Sequence, residues 1–388
     1  MVTRLPPEIA PLNEDLALAT QETCADWMKE VPDPRLPKRV VYLLPEILFV
    51  LFIGQMCGLD DVEETVLFAK MEVEWFRQVM SFVNGIAPAQ TIRRVLARLD
   101  TKAFETLFTA WASQWRAPGV IAIDGKCLRG ASKKKAAHEA LYMVSAFGDQ
   151  GGLVLGQTKV QDKSNEITAI PALLERLSLE GNIVTIDAMG TQHKIAGMIR
   201  EKSGDYILAL KGNQGSLHDD VVCFFEDKEL AATCALHKTV DFGHGRIEER
   251  TIRVTGDIQW LREMHPHWKD LNSIIAITSV REIKKTGAKT TETRYYLSSL
   301  PPEPELLLKS IRAHWGIENT LHWSLDVTFG EDKSRLRQGN AAANMAVIRK
   351  IAFNALRQAP AQVTLKLKRV KAAHDRDFRS SLIRVNHS

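Results

Sequence analysis

At Pro118 the chain changes its hydrophobic period. Before it, apolar residues recur every three or four positions through Asn13–Lys29, Leu44–Cys57, Asp61–Asn84 and Thr91–Trp115, the spacing of amphipathic helices. Breakers at 32–38 (PDPRLPK) and 84–90 (NGIAPAQ) separate these helices, and Asp100-Thr101 reads as a helix start. After Pro118, short β-branched runs take over. VIAIDGK (120–126) is the first, followed by LYMVSAFGD (141–149) and GLVLGQTKV (152–160) around a DQGG turn. NEITAIPALLERL (165–177) returns to helical spacing, NIVTIDAMG (182–190) is a buried-type strand, QHKIAGMIREKSG (192–204) is a helix closed by Gly204, and DYILALKG (205–212) is a strand.

Three consecutive strands followed by alternating helix and strand, β-β-β-α-β-α-β, is the layout of an RNase H-like core. The fold class expected is therefore α/β: an RNase H-like catalytic core preceded by an all-α N-terminal domain. Residues 213–295 read as a β-rich insertion, 301–327 as one long helix opened by prolines, and Asn340 to about Leu356 as another helix. With 388 residues and roughly 150 per domain, the expected division is 1–117 helical, 118–356 catalytic, and 357–388 a basic tail. Residues 361–388 hold seven Lys or Arg against two Asp.

Composition excludes several classes. Apolar residues at 45% and charged residues at 25% describe an ordinary globular chain, not a disordered one. The five scattered cysteines (Cys24, Cys57, Cys127, Cys223, Cys234) form no CxxC pair, so a zinc ribbon or disulfide scaffold is not expected and reduced cytoplasmic thiols are. The first residues lack a basic-then-apolar leader layout, and the longest apolar run, near Ile47–Leu59, is too short to span a bilayer and reads as a buried helix. No GxxxxGK[ST], GxGxxG or GxSxG is present, which removes the main support for nucleotide-fuelled, Rossmann and α/β-hydrolase readings.

Two acids stand out. Asp124 and Asp187 each end a run of Val, Ile, Ala or Thr, in IAIDGK and VTIDAMG. A charge at the rim of a buried sheet is costly unless paired, and two such rims side by side suit hard divalent cations. A single strand-end Asp is more often only a turn residue; two in equivalent places change the balance. Glu318, in HWGIENTLHW, shares a helical face with His314 and His322, each about 6 Å further along the axis. A carboxylate there, facing the two Asp residues, completes a three-acid site; the bland alternative is a solvated His/Glu face. His-x3-Glu-x3-His also uses legal zinc ligands but lacks the HExxH form. Lys126, Arg129, Lys133–Lys135, Lys211, Lys333, Arg335 and Arg337 follow these acids or end strands, and are candidates to grip DNA phosphates. A charge run is as often a solvated face. Trp315 and Trp323 are candidates to stack on bases, although helix tryptophans are more often core.

IAIDGKCLRGA, VTIDAMGTQHKIA, DYILALKGNQ, RYYLSSL and HWGIENTLHWSLDVTFGED together resemble the motifs of DDE transposases, in particular the ISAs-type, H-repeat-associated insertion-sequence group. The likeness runs from about Asp33 to about Leu356 and includes an associated helical domain at DPRLPKRVVYLLPEILFVLFIGQMCGLDD. Two positions depart from that pattern: Thr191 where the group often has Cys, and APAQT where it usually shows Ser-His-Asp-Thr. The resemblance implies that Asp124, Asp187 and Glu318 bind divalent metal, two Mg2+ ions (or Mn2+), and that the chain cuts double-stranded DNA at inverted-repeat ends and transfers it to target DNA. It also implies a homo-oligomer at the bacterial nucleoid, with no membrane partner. The same core serves nucleases and junction resolvases, and a non-catalytic DNA-binding descendant is a further alternative.

Overall fold

The computed structural model describes residues 26–115, 117–131, 141–160, 166–243 and 245–383, so Lys133–Lys135 and most of the first expected helix lie outside the described residues. The chain divides into two compact units, one built from its two ends (to Asp100 and from Gln338) and one from Thr101–Arg337.

Among the described residues the first unit is all helical. Its centre is α1 (Leu44–Met56), buried on every side, as the uninterrupted apolar run requires. The stretch expected as one helix over 61–84 is two, α2 (Val62–Met71), capped by Asp61, and α3 (Val73–Arg77). Helix α4 (Ala89–Arg98) follows Pro88, which offers no side-chain cap. The long helix α13 (Ala341–Gln358) packs beside α1, and its Asn344 amide donates to the carbonyls of Leu96 and Leu99, closing the exit of α4.

The expected basic tail is not a tail. It forms α14 (Leu365–His374) and α15 (Arg376–Ser381) and turns Lys368, Arg369 and Arg379 inward, while Lys366, Lys371 and Arg376 stay exposed. Arg379 is fully buried, paired with Glu72 and lying over the rings of Trp75 and Phe68 at 4.3 and 5.2 Å. Arg369 reaches Asp60 at 2.6 Å and the Gln55 carbonyl, and Lys368 donates to the Leu356 and Ala359 carbonyls at the end of α13. A cation at a helix C-terminus meets the negative end of its dipole.

The second unit opens with α5 (Thr101–Ala112), beginning at the residue pair that reads as a helix start. Its strands are β1 (Val120–Leu128), β2 (Leu141–Gly148), β3 (Leu153–Lys159), β4 (Ile183–Ile186), β5 (Asp205–Leu210), β6 (Ala235–Gly243), β7 (Arg246–Thr255), β8 (Ser273–Ile283) and β9 (Lys289–Ser298). They form one sheet in the order β3-β2-β1-β4-β5-β9-β8-β7-β6. Only β1, β4 and β5 run parallel, joined by crossovers through α6 (Glu166–Arg176) and α7 (His193–Glu201). The first five strands have the RNase H-like order. The expected β-rich insertion over 213–295 supplies β6–β9; it begins with α8 (Ser216–Glu226) and α9 (Lys228–Ala232), carries α10 (Gln259–Met264), and its strands extend the same sheet through β5–β9 pairing.

Alternation along the strands sorts side chains onto two faces. Ile121, Ile123, Val184, Ile186 and Leu208 pack under α6 and α7 with Leu173 and Ile199. On the other face, Ile207, Ile252, Ile275 and Ile277 meet Leu307, Leu308 and Ile311 of α11 (Pro304–Gly316). The long helix expected over 301–327 is interrupted: α11 passes into a π-helical segment, Ile317–His322, and then α12 (Trp323–Val327). No helix among the described residues is long and apolar enough to cross a membrane.

Candidate active site

Asp124 and Asp187 sit on neighbouring parallel strands. Pairing of β1 with β4 ends at Ile123↔Ile186, so each Asp is the next residue on its chain. Strand β1 does not stop at Asp124 but runs on to Leu128 against β2, so Asp124 is a mid-strand residue standing where β4 leaves the sheet. Ile123 and Ile186 belong to the α6/α7 face, and alternation therefore turns both acids to the α11 face.

Residues from two motifs, VTIDAMGTQHKIA and DYILALKGNQ, hold the Asp187 turn. The Asp187 carboxylate accepts the Gly190 N–H at 3.2 Å. Thr191, fully buried, donates its hydroxyl to the carbonyls of Asp187 and Ala209. Asn213 and Gln214, just after β5, donate to the carbonyls of Ala188 and Thr191 at 2.8 and 2.6 Å. Gly190 has no room for a side chain, because a Cβ there would stand 2.4 Å from the Ile186 side chain.

The helix above is fixed by its two histidines. His314 Nδ1 lies 2.9 Å from the Thr185 hydroxyl on β4, and His322 Nδ1 lies 3.5 Å from the Asp124 carboxylate on β1. Burial pushes the His314 pKa down, against the opposing pull of Asp187, so the imidazole is held neutral. Glu318 stands between the two histidines and is exposed. Asp187, Glu318, His314 and Lys211 line one cavity of about 460 Å3. Asp124 is the neighbour of Asp187 across the strands rather than a wall of that cavity. Hard carboxylate oxygens on one sheet face suit a divalent ion such as Mg2+. The acids are arranged as adjoining pairs: among the described residues no three His, Cys, Asp or Glu side chains lie close enough to enclose one ion.

The basic candidates divide. Lys126, expected to face phosphate, is turned inward: its ammonium donates to Asp326 and Glu331 at 2.5 and 2.7 Å, with only 12% of the side chain exposed. Burial works against that charge, but Glu331 and Asp326 outweigh it and raise the pKa. Glu331, itself buried, is thereby part of a brace rather than a spare acid for the site. Around the brace, Gly130 approaches so closely that a Cβ would stand 2.3 Å from the Ser334 carbonyl, and Arg337 donates to the Gly130 carbonyl. Arg129, Lys211, Lys333 and Arg335 are exposed. Sequence reading missed Thr185, Asn213, Gln214, Asp326 and Glu331 as supports of the site; the polar pair in KGNQ, directly after a buried strand, was the signal available for two of them.

Two family descriptions cover the chain: "Transposase DDE domain" matches residues 115–355, and "DDE_Tnp_1-associated" matches 25–112. "Putative transposase YncI" of Escherichia coli O157:H7 is 40% identical over 345 residues, 87% of each protein. "H repeat-associated putative transposase YhhI" of E. coli K12 is 36% identical over 361 residues, 91% of this chain and 95% of the relative. With the helical region, the RNase H-like sheet and the paired aspartates in place, this chain belongs to the DDE transposase family.

Proposed function

We propose that Asp187 and Glu318, which line one cavity, act together with Asp124 on the neighbouring strand to cleave DNA at the ends of an insertion sequence and to join the freed ends to target DNA. The observation that carries this reading is that Asp124 and Asp187 stand side by side on neighbouring strands, on the sheet face that α11 covers, and that Glu318 lines one cavity with Asp187. Enzymes of this family work with divalent metal; bound by these carboxylates, two Mg2+ ions would supply an activated water and stabilise the leaving oxygen of an in-line displacement. This chain's own side chains prepare that reaction. The hydrogen bonds from Gly190, Thr191, Asn213 and Gln214 hold Asp187 on the rim. Neutral His314 ties the Glu318 helix to β4 without adding a charge that would compete for the acids. Lys211 at the cavity wall, with Arg129, Lys333, Arg335 and Arg337, would steady phosphates. No covalent enzyme intermediate is required, because water attacks first and the resulting 3′-hydroxyl attacks the target phosphodiester next. We further infer that the helical unit contacts terminal DNA, and that the enzyme acts in the bacterial cytoplasm as a homo-oligomer, since two ends must be joined together.

The test is cleavage and strand transfer on DNA carrying the inverted repeats that flank the coding region. Asp187→Asn should lower both by about a thousandfold or more, the scale of several kcal/mol at the transition state, while leaving DNA affinity nearly unchanged. Cleavage without transfer of a pre-cut end would assign the chain to the nuclease reading. Wild-type cutting by the Asp187→Asn protein would remove the site assignment altogether.

A further inference from the structure

The α11 face of the sheet changes character beyond the acids. Along β7, residues 246, 248, 250 and 252 share one side of the strand; along β8 so do 275, 277, 279 and 281; along β9 so do 292, 294 and 296. Nearest α11 this face is apolar, with Ile252, Ile275 and Ile277. Further out it carries Arg246, Arg250, Arg281 and Arg294, and α11 adds Arg312. Between helix and strands runs a trough of about 430 Å3. Its floor includes Ile277, Tyr296 and Ile311, and Trp315, 40% exposed, lies at its edge with the Arg294 guanidinium over its ring at 5.1 Å. Glu292, Arg294, Tyr296, Ile311 and Trp315 line both this trough and the cavity of Asp187 and Glu318, so the two adjoin across these side chains.

The arginines are held by acids. Arg250 pairs with Asp241 and Glu248, Arg281 with Glu248, Arg294 with Glu292, and Arg312 with Asp241. Five arginines against these three acids leave a net of 5 − 3 = +2, in a chain whose whole net charge is +4. The acids orient the guanidinium groups without cancelling them.

We infer that this trough binds a stretch of single-stranded DNA leading into the acid pocket. Arginine walls match a phosphate chain. The apolar and aromatic floor decides between strand and duplex: duplex DNA presents phosphates outward and keeps its bases stacked inside, so it leaves such a floor uncovered, whereas unpaired bases lie down on it. The inference deepens the cleavage reading and rests on it only for the identity of the polymer.

The test is equilibrium binding of the full chain to a fluorescent oligothymidylate and to a blunt duplex of equal length, without divalent metal and over a range of salt. Arg246→Ala with Arg281→Ala should flatten the oligothymidylate salt slope by about 1.4, since each single-strand phosphate contact contributes roughly 0.7, and should leave the duplex slope alone. Trp315→Ala should weaken the oligothymidylate about tenfold, within the range for one stacked base, and Trp315→Phe should restore most of it. Exposed Arg246 also permits Arg246→Glu alone, which should act in the same direction without disturbing a buried group. An unchanged oligothymidylate slope, or equal losses on strand and duplex, would overturn the proposal and leave the trough an ion-paired surface. Because no cleavage is read, failure of the Asp187→Asn test would count against the acid pocket and not against the trough.

Discussion

Two regions of this chain are rich in cations and use them in opposite ways. In α14 and α15 three cations point inward: Arg379 is sandwiched beside Trp75 and Phe68 with Glu72 as its counter-ion, Arg369 reaches Asp60, and Lys368 closes a helix end. On β7, β8 and β9 the arginines line an open trough, with Arg250, Arg281 and Arg294 each steadied by an acid at its flank. Along the sequence the first region looks the better DNA ligand, with a local excess of five positive charges over 361–388. In three dimensions it is part of a helical core. What separates the two is whether a counter-ion and a desolvating surface take the guanidinium out of water, and neither is visible in a charge count.

The comparison is broken most severely at Arg379. Arg379→Ala empties the slot between Trp75 and Phe68 and leaves Glu72 with Arg376 alone, and should destabilise the helical unit by about 3 kcal/mol in denaturant titration. The salt slope of DNA binding should not move; a flattened slope with unaltered stability would reverse the assignment of this region.

Lys126 comes next, as an inward cation inside the catalytic unit. Lys126→Met should cost on the order of 3 kcal/mol, because buried Glu331 loses its ammonium partner. Adding Glu331→Gln should recover part of that loss, the signature of coupled neighbours in a double-mutant cycle. Purely additive losses would show that the brace contributes nothing as a pair.

Acid sharpens the contrast at lower amplitude. The hydrogen bond from Arg376, opposed by burial and reinforced by Arg379, holds the Glu72 carboxyl below its ordinary value of 4.5. A depressed folded pKa means the native state binds fewer protons than the unfolded one. Its stabilisation is therefore present above about pH 4.5 and is lost as pH falls through the folded value. Melting of the helical unit followed from pH 6 to pH 3, as approximate bounds on that window, should show the loss, and Glu72→Gln should flatten it.

The smallest effect on stability belongs to the exposed rim. Lys333, Arg335 and Arg337 changed together to Ala should alter stability little, apart from the single bond Arg337 makes to the Gly130 carbonyl. The duplex salt slope should flatten by up to about 2.7, at roughly 0.9 per phosphate contact, with all sequences weakened alike. An unchanged slope would place these three on a solvated face.

The positions of Asp124 and Asp187 on the sheet were legible because the pattern is local: a β-branched run reaching Asp writes both the strand and the half-buried carboxylate into seven residues, as in VIAIDGK and VTIDAMG. The start of α5 at Thr101 was legible for the same reason. The fate of Lys126 was not, since its partners Asp326 and Glu331 are some two hundred residues away. The joining of β9 to the free edge of β5 was equally hidden, because an edge is a property of the assembled sheet. The arginine row on β7 did carry a trace, the period-two spacing of Arg246, Glu248 and Arg250 in RIEER, but which face it decorates depends on where Ile252 packs.

The π-helical segment Ile317–His322 has its own arithmetic. There the Trp323 N–H bonds the Glu318 carbonyl, five residues back, so the helix carries one residue more than a regular spiral of the same length needs. Each residue of an α-helix turns the chain by about 100°, and one surplus residue therefore offsets everything downstream by that angle. Deleting a single residue from this segment would yield a smoother helix and a misassembled enzyme: Asp326 would swing away from Lys126 and His322 from Asp124, with every individual hydrogen bond of the helix intact. In mutational terms the stretch should tolerate a substitution at exposed Asn319 far better than it tolerates any change in its length.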